Sequence, residues 1–322
     1  MAGGQERILR RRIKTVESTM KITKAMELIA ASRIVKAQGR VAAARPYSEQ
    51  ITEVIRNLAG GGAGLKHPLL QPKEDVRSVA YVVVTADRGL CGGYNTSVIR
   101  QAERAMRADQ AAGRTPSLYV VGKKGLIYFR FRHASIEESF LGVTDQPTYE
   151  QAREIAAAVS QAFNEGEVDA VEVVYTQFLS AGSQRVVTRR LMPLDASALE
   201  SADTGSGSYE FEPDLNGILE RLLPRYAEAR LFAALLDASA SEHAARQRAM
   251  KSATDNADEL KTTLSRIMNR ARQDAITTEI MEIVGGAEAL RQGTTSGGDL
   301  LGTSLQVQDL FRDRLDESGG RH

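Results

Sequence analysis

Residues 18–36 read STMKITKAMELIAASRIVK, a stretch without glycine or proline that consists mostly of good helix formers. Its apolar side chains are interleaved with the cations of Lys21, Lys24, Arg33 and Lys36. An amphipathic surface helix normally has one apolar stripe, which packs on the protein core, and one solvated face. Here both sides carry residues suited to contact, so the stretch predicts a helix that touches more than one partner.

The helical pattern around this stretch extends over residues 4–58, and its apolar or small residues recur at alternate spacings of three and four. Such spacing is typical of a seam between two helices. The glycine-rich run at 60–64 ends the helix. The predicted seam consists of Leu9, Ile13, Val16 and Met20, and then of Ile34, Ala37, Val41, Ala44, Ser48, Ile51, Ile55 and Leu58.

A second long helix is predicted from about residue 214, because no glycine or proline interrupts the sequence between Arg225 and Val284. Its predicted seam is Met250, Ala253, Ala257, Leu260, Leu264, Ile267 and Ala271, followed by a shifted phase through Ile276, Ile280 and Ile283. Two such helices on either side of a compact region predict an antiparallel coiled coil roughly 100 Å long, which projects from that region as a shaft.

The region between the two helices alternates β-branched runs with helical patterns, which predicts a small α/β domain with a mostly parallel sheet. The last two strand candidates are joined by SAGS and predict a hairpin. The predicted strands lie within 76–86, 117–122, 168–179 and 184–195, and the predicted helices within 95–108 and 147–166.

The predicted fold class is therefore α+β. It combines a long antiparallel two-helix coiled coil, formed by the N- and C-terminal helices, with a Rossmann-like α/β domain. The predicted boundaries are 1–60 for the N-terminal coiled-coil helix, 75–197 for the α/β domain, 212–290 for the C-terminal coiled-coil helix and 291–322 for a flexible tail.

The composition argues against several kinds of site. The single cysteine, Cys91, rules out an internal disulfide and a cysteine-rich metal site, and fits a reducing compartment. The four histidines share no metal-ligand spacing, so no metal is predicted. No apolar run reaches the length of about 18 residues that a membrane-spanning helix needs. We therefore expect a cytosolic chain that meets a membrane only through its partners.

The segment TADRGLCGGYN at 85–95 is the part of the sequence that most resembles an enzyme's site. A glycine-rich turn between a strand and a helix can bind phosphate with its backbone N–H groups. The segment lacks both G-x-G-x-x-G and G-x-x-x-x-G-K-[ST] spacing, so it favours a plain strand-to-helix turn with a packed Cys91. No catalytic residue and no cofactor is predicted, although an α/β nucleotide-binding protein with coiled-coil arms stays open as an alternative.

Positive charge is concentrated at the start of the chain, where residues 1–50 hold eleven Lys or Arg against four Asp or Glu. This excess is compatible with a solvated face, with nucleic acid, or with a protein partner that has acidic loops. No aromatic interleaving or recognised motif supports nucleic acid, so no nucleic-acid partner is predicted.

Three ordered parts of the sequence resemble the gamma subunits of F-type ATP synthases of bacteria, the central rotor stalk. They are RRRIKTVESTMKITKAMELIAASRIVKAQGRVAAARPY at 10–47, TADRGLCGGYNTSV at 85–98, and SEHAARQRAMKSATDNADEL at 241–260 with NRARQDAITTEIMEIVGGAEAL at 269–290. The resemblance implies a non-catalytic rotor shaft that couples proton-driven rotation of the c ring to ATP synthesis on the beta subunits, and that takes part in regulating ATPase activity and proton flow.

The resemblance also implies the partners: the hexamer of alpha and beta subunits, the epsilon subunit and the c-subunit ring, at the cytoplasmic face of the bacterial cell membrane. Its implied contacts with the beta subunits are Lys21, Lys24, Met26, Arg33, Arg272, Gln273 and Thr277. Its implied contacts with epsilon and the c ring are Tyr209, Glu212 and Asp214. The chain departs from the family in its extra tail at 291–322, and the lone Cys91 argues against a thiol switch of the chloroplast type.

Overall fold

The computed structural model describes residues 2–60, 69, 75–194 and 215–294. These residues form two compact units: one contains the chain up to Lys14 and from Thr262 onward, and the other contains Thr15–Lys261. In chain order the elements are α1 (Ala2–Gly60), β1 (Ser78–Val84), α2 (Tyr94–Ala111), β2 (Thr115–Val121), α3 (Lys123–Phe131), β3 (Glu138–Phe140), α4 (Tyr149–Asn164), β4 (Ala170–Phe178), β5 (Gln184–Met192) and α5 (Leu215–Thr294).

The two long helices pair antiparallel within the larger unit. The hydroxyl oxygens of Thr23 and Thr254 lie 2.8 Å apart, and the Lys261 ammonium lies 3.0 Å from the Glu17 carboxylate. Residues nearer the start of α1 therefore lie opposite residues nearer the end of α5. The predicted antiparallel pair of helices is confirmed.

The seam predicted on α1 coincides with its buried face, since Ile34, Ala37, Ile51 and Ile55 are all buried. The pattern of apolar residues thus located the contact face of α1 correctly.

The seam predicted on α5 is wrong at Leu260 and Ile267, both of which are exposed. Lys261 and Met268, one residue later in each case, are half-buried instead. Hydrophobicity alone misplaced the face because a lysine stem can cover apolar surface while its ammonium reaches an acid, here Glu17.

The shifted phase of α5, Ile276, Ile280 and Ile283, is exposed and forms no seam with the described part of α1. A long apolar face on the end of α5 is left without cover from the described residues.

The sheet has five strands in the order β3-β2-β1-β4-β5. Strands β1 to β4 are parallel, and β5 returns antiparallel to β4 as the predicted hairpin. The mostly parallel sheet is confirmed, whereas α3 and the three-residue strand β3 were not anticipated. Central strand β1 is buried from Val79 to Val84 and has no polar alternation, as expected for a strand covered on both faces.

Helices cover both faces of this sheet. Helices α2 and α3 pack on the face that contains Val79, Tyr81 and Val83. Helix α4 packs on the opposite face together with α1, through Ile51 and Ile55, and with the first part of α5. The long helices therefore belong to the core of the α/β layers in the larger unit.

We expect Gly122→Ala to destabilise the fold. Gly122 has φ of 95°, and an added Cβ would lie 2.2 Å from the carbonyl oxygen of Thr85. The backbone strain of about 1–3 kcal/mol thus combines with a steric clash. Urea unfolding of the full chain measures the loss. Gly113→Ala is the matched control, because Gly113 has φ of 80° but open space around it. An equal loss of unfolding free energy in both variants would show that the clash with Thr85 adds nothing to the backbone strain.

Candidate functional site

The stretch 18–36 of α1 has a buried side and an exposed side. Thr23, Ala30 and Ile34 are buried. The other side exposes four large apolar residues, each by 54–68% of its surface: Ile22, Leu28, Ile29 and Val35. Intermixed with the lysines, they form an exposed apolar and basic surface of the kind found at protein interfaces. We call the residues Lys21, Ile22, Lys24, Leu28, Ile29 and Val35 the bearing face.

The beta-contact residues predicted on α1 fall into two groups. Lys21 and Lys24 are exposed, and the Lys24 ammonium lies 3.1 Å from the Glu27 carboxylate. Met26 is half-buried at the edge of the bearing face. The Arg33 guanidinium is instead bound within the chain, where it donates to the Asp145 carboxylate at 2.7 Å.

The contact residues predicted on α5 lie in the smaller unit. Arg272, Gln273 and Thr277 are all exposed, and the Thr277 hydroxyl donates to the Gln273 carbonyl at 2.9 Å. They adjoin the uncovered apolar face of α5. The predicted epsilon and c-ring contacts, Tyr209, Glu212 and Asp214, lie outside the described residues.

The glycine-rich segment is a strand-to-helix turn, as the sequence favoured, between the end of β1 and the start of α2. The Ala86 N–H donates to the Asn95 side chain at 2.8 Å. The Asp87 carboxylate accepts from the Lys123 N–H at 3.0 Å and from the Thr144 hydroxyl at 3.0 Å. These bonds tie the turn to α2, to α3 and to the segment after β3.

Cys91 in this turn is buried, and its thiol is packed. The Asn95 side-chain amide donates to its sulfur at 3.2 Å. Burial raises the pKa of the Cys91 thiol, and the opposing effect of the nearby Arg246 charge is smaller. A raised pKa keeps the thiol protonated and unreactive.

The structure contains an ionic cluster that the sequence did not reveal, here called the anchor cluster. Its members Glu242, His243 and Arg246 are buried, and Arg33 and Asp145 at its edge are half-buried. Glu242 of α5 is buried, and the Arg246 guanidinium donates to it at 2.6 Å. The one available signal was the i,i+4 spacing of acid and base.

The anchor cluster joins α5 to the turns of the α/β domain. The Arg246 guanidinium also donates to the carbonyls of Arg88 at 3.4 Å and Gly89 at 3.3 Å. Nearby on α5, the Ser239 hydroxyl donates to the Asp145 carbonyl at 3.1 Å. Since Asp145 also binds Arg33 of α1, both long helices are fixed to the same turn.

His243 is neutral in this environment. Burial lowers its pKa to about 4, and this effect outweighs the hydrogen bond and charge of Asp145. The ring nitrogen Nδ1 lies 3.4 Å from an Arg246 guanidinium nitrogen, and Nε2 lies 3.4 Å from the Asp145 carbonyl oxygen. The partners thus assign Nδ1 as the acceptor and Nε2–H as the donor. Burial likewise raises the pKa of Glu242, although the Arg246 cation opposes this.

Within the described ranges, no group of three or more His, Cys, Asp or Glu side chains is placed to hold a metal ion. Among the same residues, no helix is both long and apolar enough to cross a membrane.

Comparison with known proteins gives a consistent family. Residues 5–290 match the ATP synthase family. The ATP synthase gamma chain of Parafrankia sp. is 50% identical over 296 residues, which cover 90% of this chain and 99% of the relative. The gamma chain of Mycolicibacterium smegmatis is 49% identical over 299 residues, which cover 88% and 97% of the two chains.

Solved structures share the fold. A chain of the Euglena gracilis mitochondrial ATP synthase, in an assembly that includes the c-ring, aligns with a TM-score of 0.66 at 20% identity. The alignment covers 94% of this chain and all of that one. A central stalk and c-ring structure from Tetrahymena thermophila aligns with a TM-score of 0.55 at 24% identity, and covers 72% and 99%. The chain belongs to the gamma-chain family of F-type ATP synthases.

Arg246→Ala should strongly destabilise the larger unit, because it leaves the Glu242 carboxylate buried without its cation. Removal of one partner from a buried ion pair costs about 3–5 kcal/mol. Urea unfolding of the full chain near neutral pH measures the loss. The matched control is Lys251→Ala on the exposed face of α5, expected within about 0.5 kcal/mol of the parent. Similar losses in the two variants would contradict the role of the anchor cluster.

His243 should make part of the fold's stability depend on pH. Its pKa is lower in the folded chain than in the unfolded one, so its stabilisation is complete above about pH 6.5 and is lost toward pH 4. The stability gap between the parent and His243→Gln should therefore narrow as pH falls through this window. Urea unfolding at several pH values measures the gap. A gap that stays constant between pH 7 and pH 4 would contradict this prediction.

Proposed function

We propose that this member of the ATP synthase gamma-chain family is the rotor shaft that couples rotation of the c-subunit ring to ATP synthesis on the beta subunits, and regulates ATPase activity and proton flow. The observation that carries the proposal is the bearing face, an apolar and basic surface left exposed on a helix whose other side is already packed on α5. A helix that packed only on α5 would not require the bearing face as a second contact surface.

The bearing face suits acidic loops on the beta subunits. Lys21 and Lys24 supply positive charge, while Ile22 and Leu28 supply apolar area beside it. Electrostatic complementarity sets orientation and specificity, and buried apolar area supplies affinity. Met26 lies at the rim of this proposed contact. Arg33 remains part of it, although its guanidinium is bound to Asp145.

The end of α5 is proposed as a second contact with the beta subunits. Arg272, Gln273 and Thr277 present polar groups, and the adjoining Ile276 and Ile280 present apolar surface. An exposed apolar face of this length normally marks a contact surface. Tyr209, Glu212 and Asp214 are proposed, on family resemblance, as contacts with epsilon and the c ring.

Coupling by a shaft requires that each angular position makes different contacts with each surrounding subunit. A contact can shift a conformational equilibrium only by the difference in its interaction free energy with the two states. The bearing face occupies one side of α1, so it would meet one beta subunit at a time. ATP would form on the beta subunits, and the gamma chain would have no catalytic site of its own.

The anchor cluster supports the same role. Arg246 holds α5 to the turn after β1, and Asp145 holds α1 to the turn after β3. Within the larger unit, a force on the α/β domain would therefore reach both long helices through directional contacts. The proposed setting is the cytoplasmic face of the bacterial cell membrane, with alpha, beta, epsilon and the c ring as partners and membrane contact only through them.

The double variant Lys21→Glu and Lys24→Glu tests the proposed contact. Reversal of both charges should repel acidic loops and lower proton-driven ATP synthesis by about tenfold or more, since like charges at an interface cost several kcal/mol. ATP synthesis in vesicles that carry the assembled complex measures this, with subunit composition checked in parallel. Arg153→Glu on the exposed side of α4 is the control and should keep normal synthesis. Normal synthesis in the double variant would refute the contact.

A further inference from the structure

A groove of about 400 Å³ lies within the larger unit, between α1 and the turn after β3. Arg33, Lys36 and Arg40 line it from α1, with spacings of three and four that place them on one side of the helix. Asp145 lies opposite them, and His243 of α5 also contributes to the lining. We propose that this groove binds a phosphate-class anion, either inorganic phosphate or the phosphates of a nucleotide.

The charges that line the groove do not cancel. Asp145 is the carboxylate among the lining residues, and its charge is already engaged by Arg33 at 2.7 Å. His243 is held neutral by burial, which lowers its pKa to about 4, so it adds no charge. Lys36 and Arg40 therefore carry two positive charges that no ion pair among the described residues neutralises. An anion of charge near −2 would balance them.

Arg40 supplies an independent observation. Its Nε is buried and has no hydrogen-bond acceptor among the described residues. Buried polar groups in folded proteins nearly always have a partner, and an unsatisfied one calls for an explanation such as a bound ion. An oxyanion beside the guanidinium supplies the acceptor that Nε–H lacks.

The geometry suits a tetrahedral oxyanion. A guanidinium presents a planar fork of donors that matches phosphate oxygens, and a lysine ammonium adds a mobile point charge. Lys36 and Arg40 lie four residues apart on α1, a spacing at which side chains reach a common neighbour. Gly39 also lines the groove without a side chain, and the space beside its Cα is open. The α1 wall thus leaves room for a ligand beside the two cations.

Residue-level labelling of the assembled complex tests this site. Lys36 is acylated with an amine reagent and Arg40 is modified with phenylglyoxal, each followed by mass spectrometry. Inorganic phosphate, ADP or sodium chloride is added at equal ionic strength. At about ten times the dissociation constant, bound anion should slow labelling of both residues roughly tenfold, since the free fraction falls by mass action. Lys251 of α5 is the control, because it is exposed and lies outside both the groove lining and the bearing face.

The arms of this experiment give distinct outcomes. Protection by phosphate alone supports a phosphate-class ligand and identifies it as inorganic phosphate. Protection by ADP alone supports the same class and identifies the ligand as a nucleotide. The Arg40→Ala complex should lose protection of Lys36 with either anion, which separates the groove from any effect transmitted from nucleotide sites elsewhere. Equal protection by chloride, protection that persists in Arg40→Ala, or no protection would each overturn the proposal. None of these readouts depends on rotor coupling.

Discussion

The structure of the larger unit depends on one shared hydrophobic core. One face of the sheet is covered not by α4 alone but also by Ile51 and Ile55 of α1 and by the first part of α5, including Leu219 and Leu223. Burial of apolar surface is the main stabilising contribution to folding, and it is non-directional. It therefore drives these layers to pack together but does not set the angle between them. The antiparallel pair of long helices and the α/β layers must therefore form together.

The anchor cluster, rather than the hydrophobic core, fixes how the long helices are oriented on the α/β layers. A buried ion pair adds little net stability but is sensitive to geometry, because a carboxylate out of place loses its cation in a medium of low dielectric. Asp145 and Arg33 lie on different elements, so their ion pair forms only when α1 is seated against the turn after β3. Glu242 and Arg246 pair within α5, and the Arg246 guanidinium fixes α5 through the Arg88 and Gly89 carbonyls of the turn after β1. The cluster thus fixes the orientation that apolar packing alone leaves free.

The sequence predicted what depends on periodicity and missed what depends on tertiary contact. The α1 seam, the hairpin and the strand-to-helix turn at 85–95 follow from local pattern, and the structure has them. The α5 seam failed at Leu260 because Lys261, polar by composition, covers the contact with its stem. Strand β3 is too short to show a pattern. The anchor cluster unites residues from α1, α5 and a turn, and no local pattern in one sequence identifies such a set. The predicted domain boundaries and contact residues stay predictions.

The position of α5 also explains why an α/β fold of this kind need not bind a nucleotide in its usual crevice. In doubly wound sheets the ligand crevice lies beyond the carboxyl ends of the strands, where the strand order reverses, and here that point lies between β1 and β4. The Ser241 hydroxyl of α5 donates to the Thr176 carbonyl of β4 at 3.0 Å, and the Tyr94 hydroxyl at the start of α2 donates to the Ala238 carbonyl of α5 at 3.2 Å. Arg246 binds the turn after β1 from the same side. In this chain α5 therefore occupies the crevice in which related folds bind a ligand.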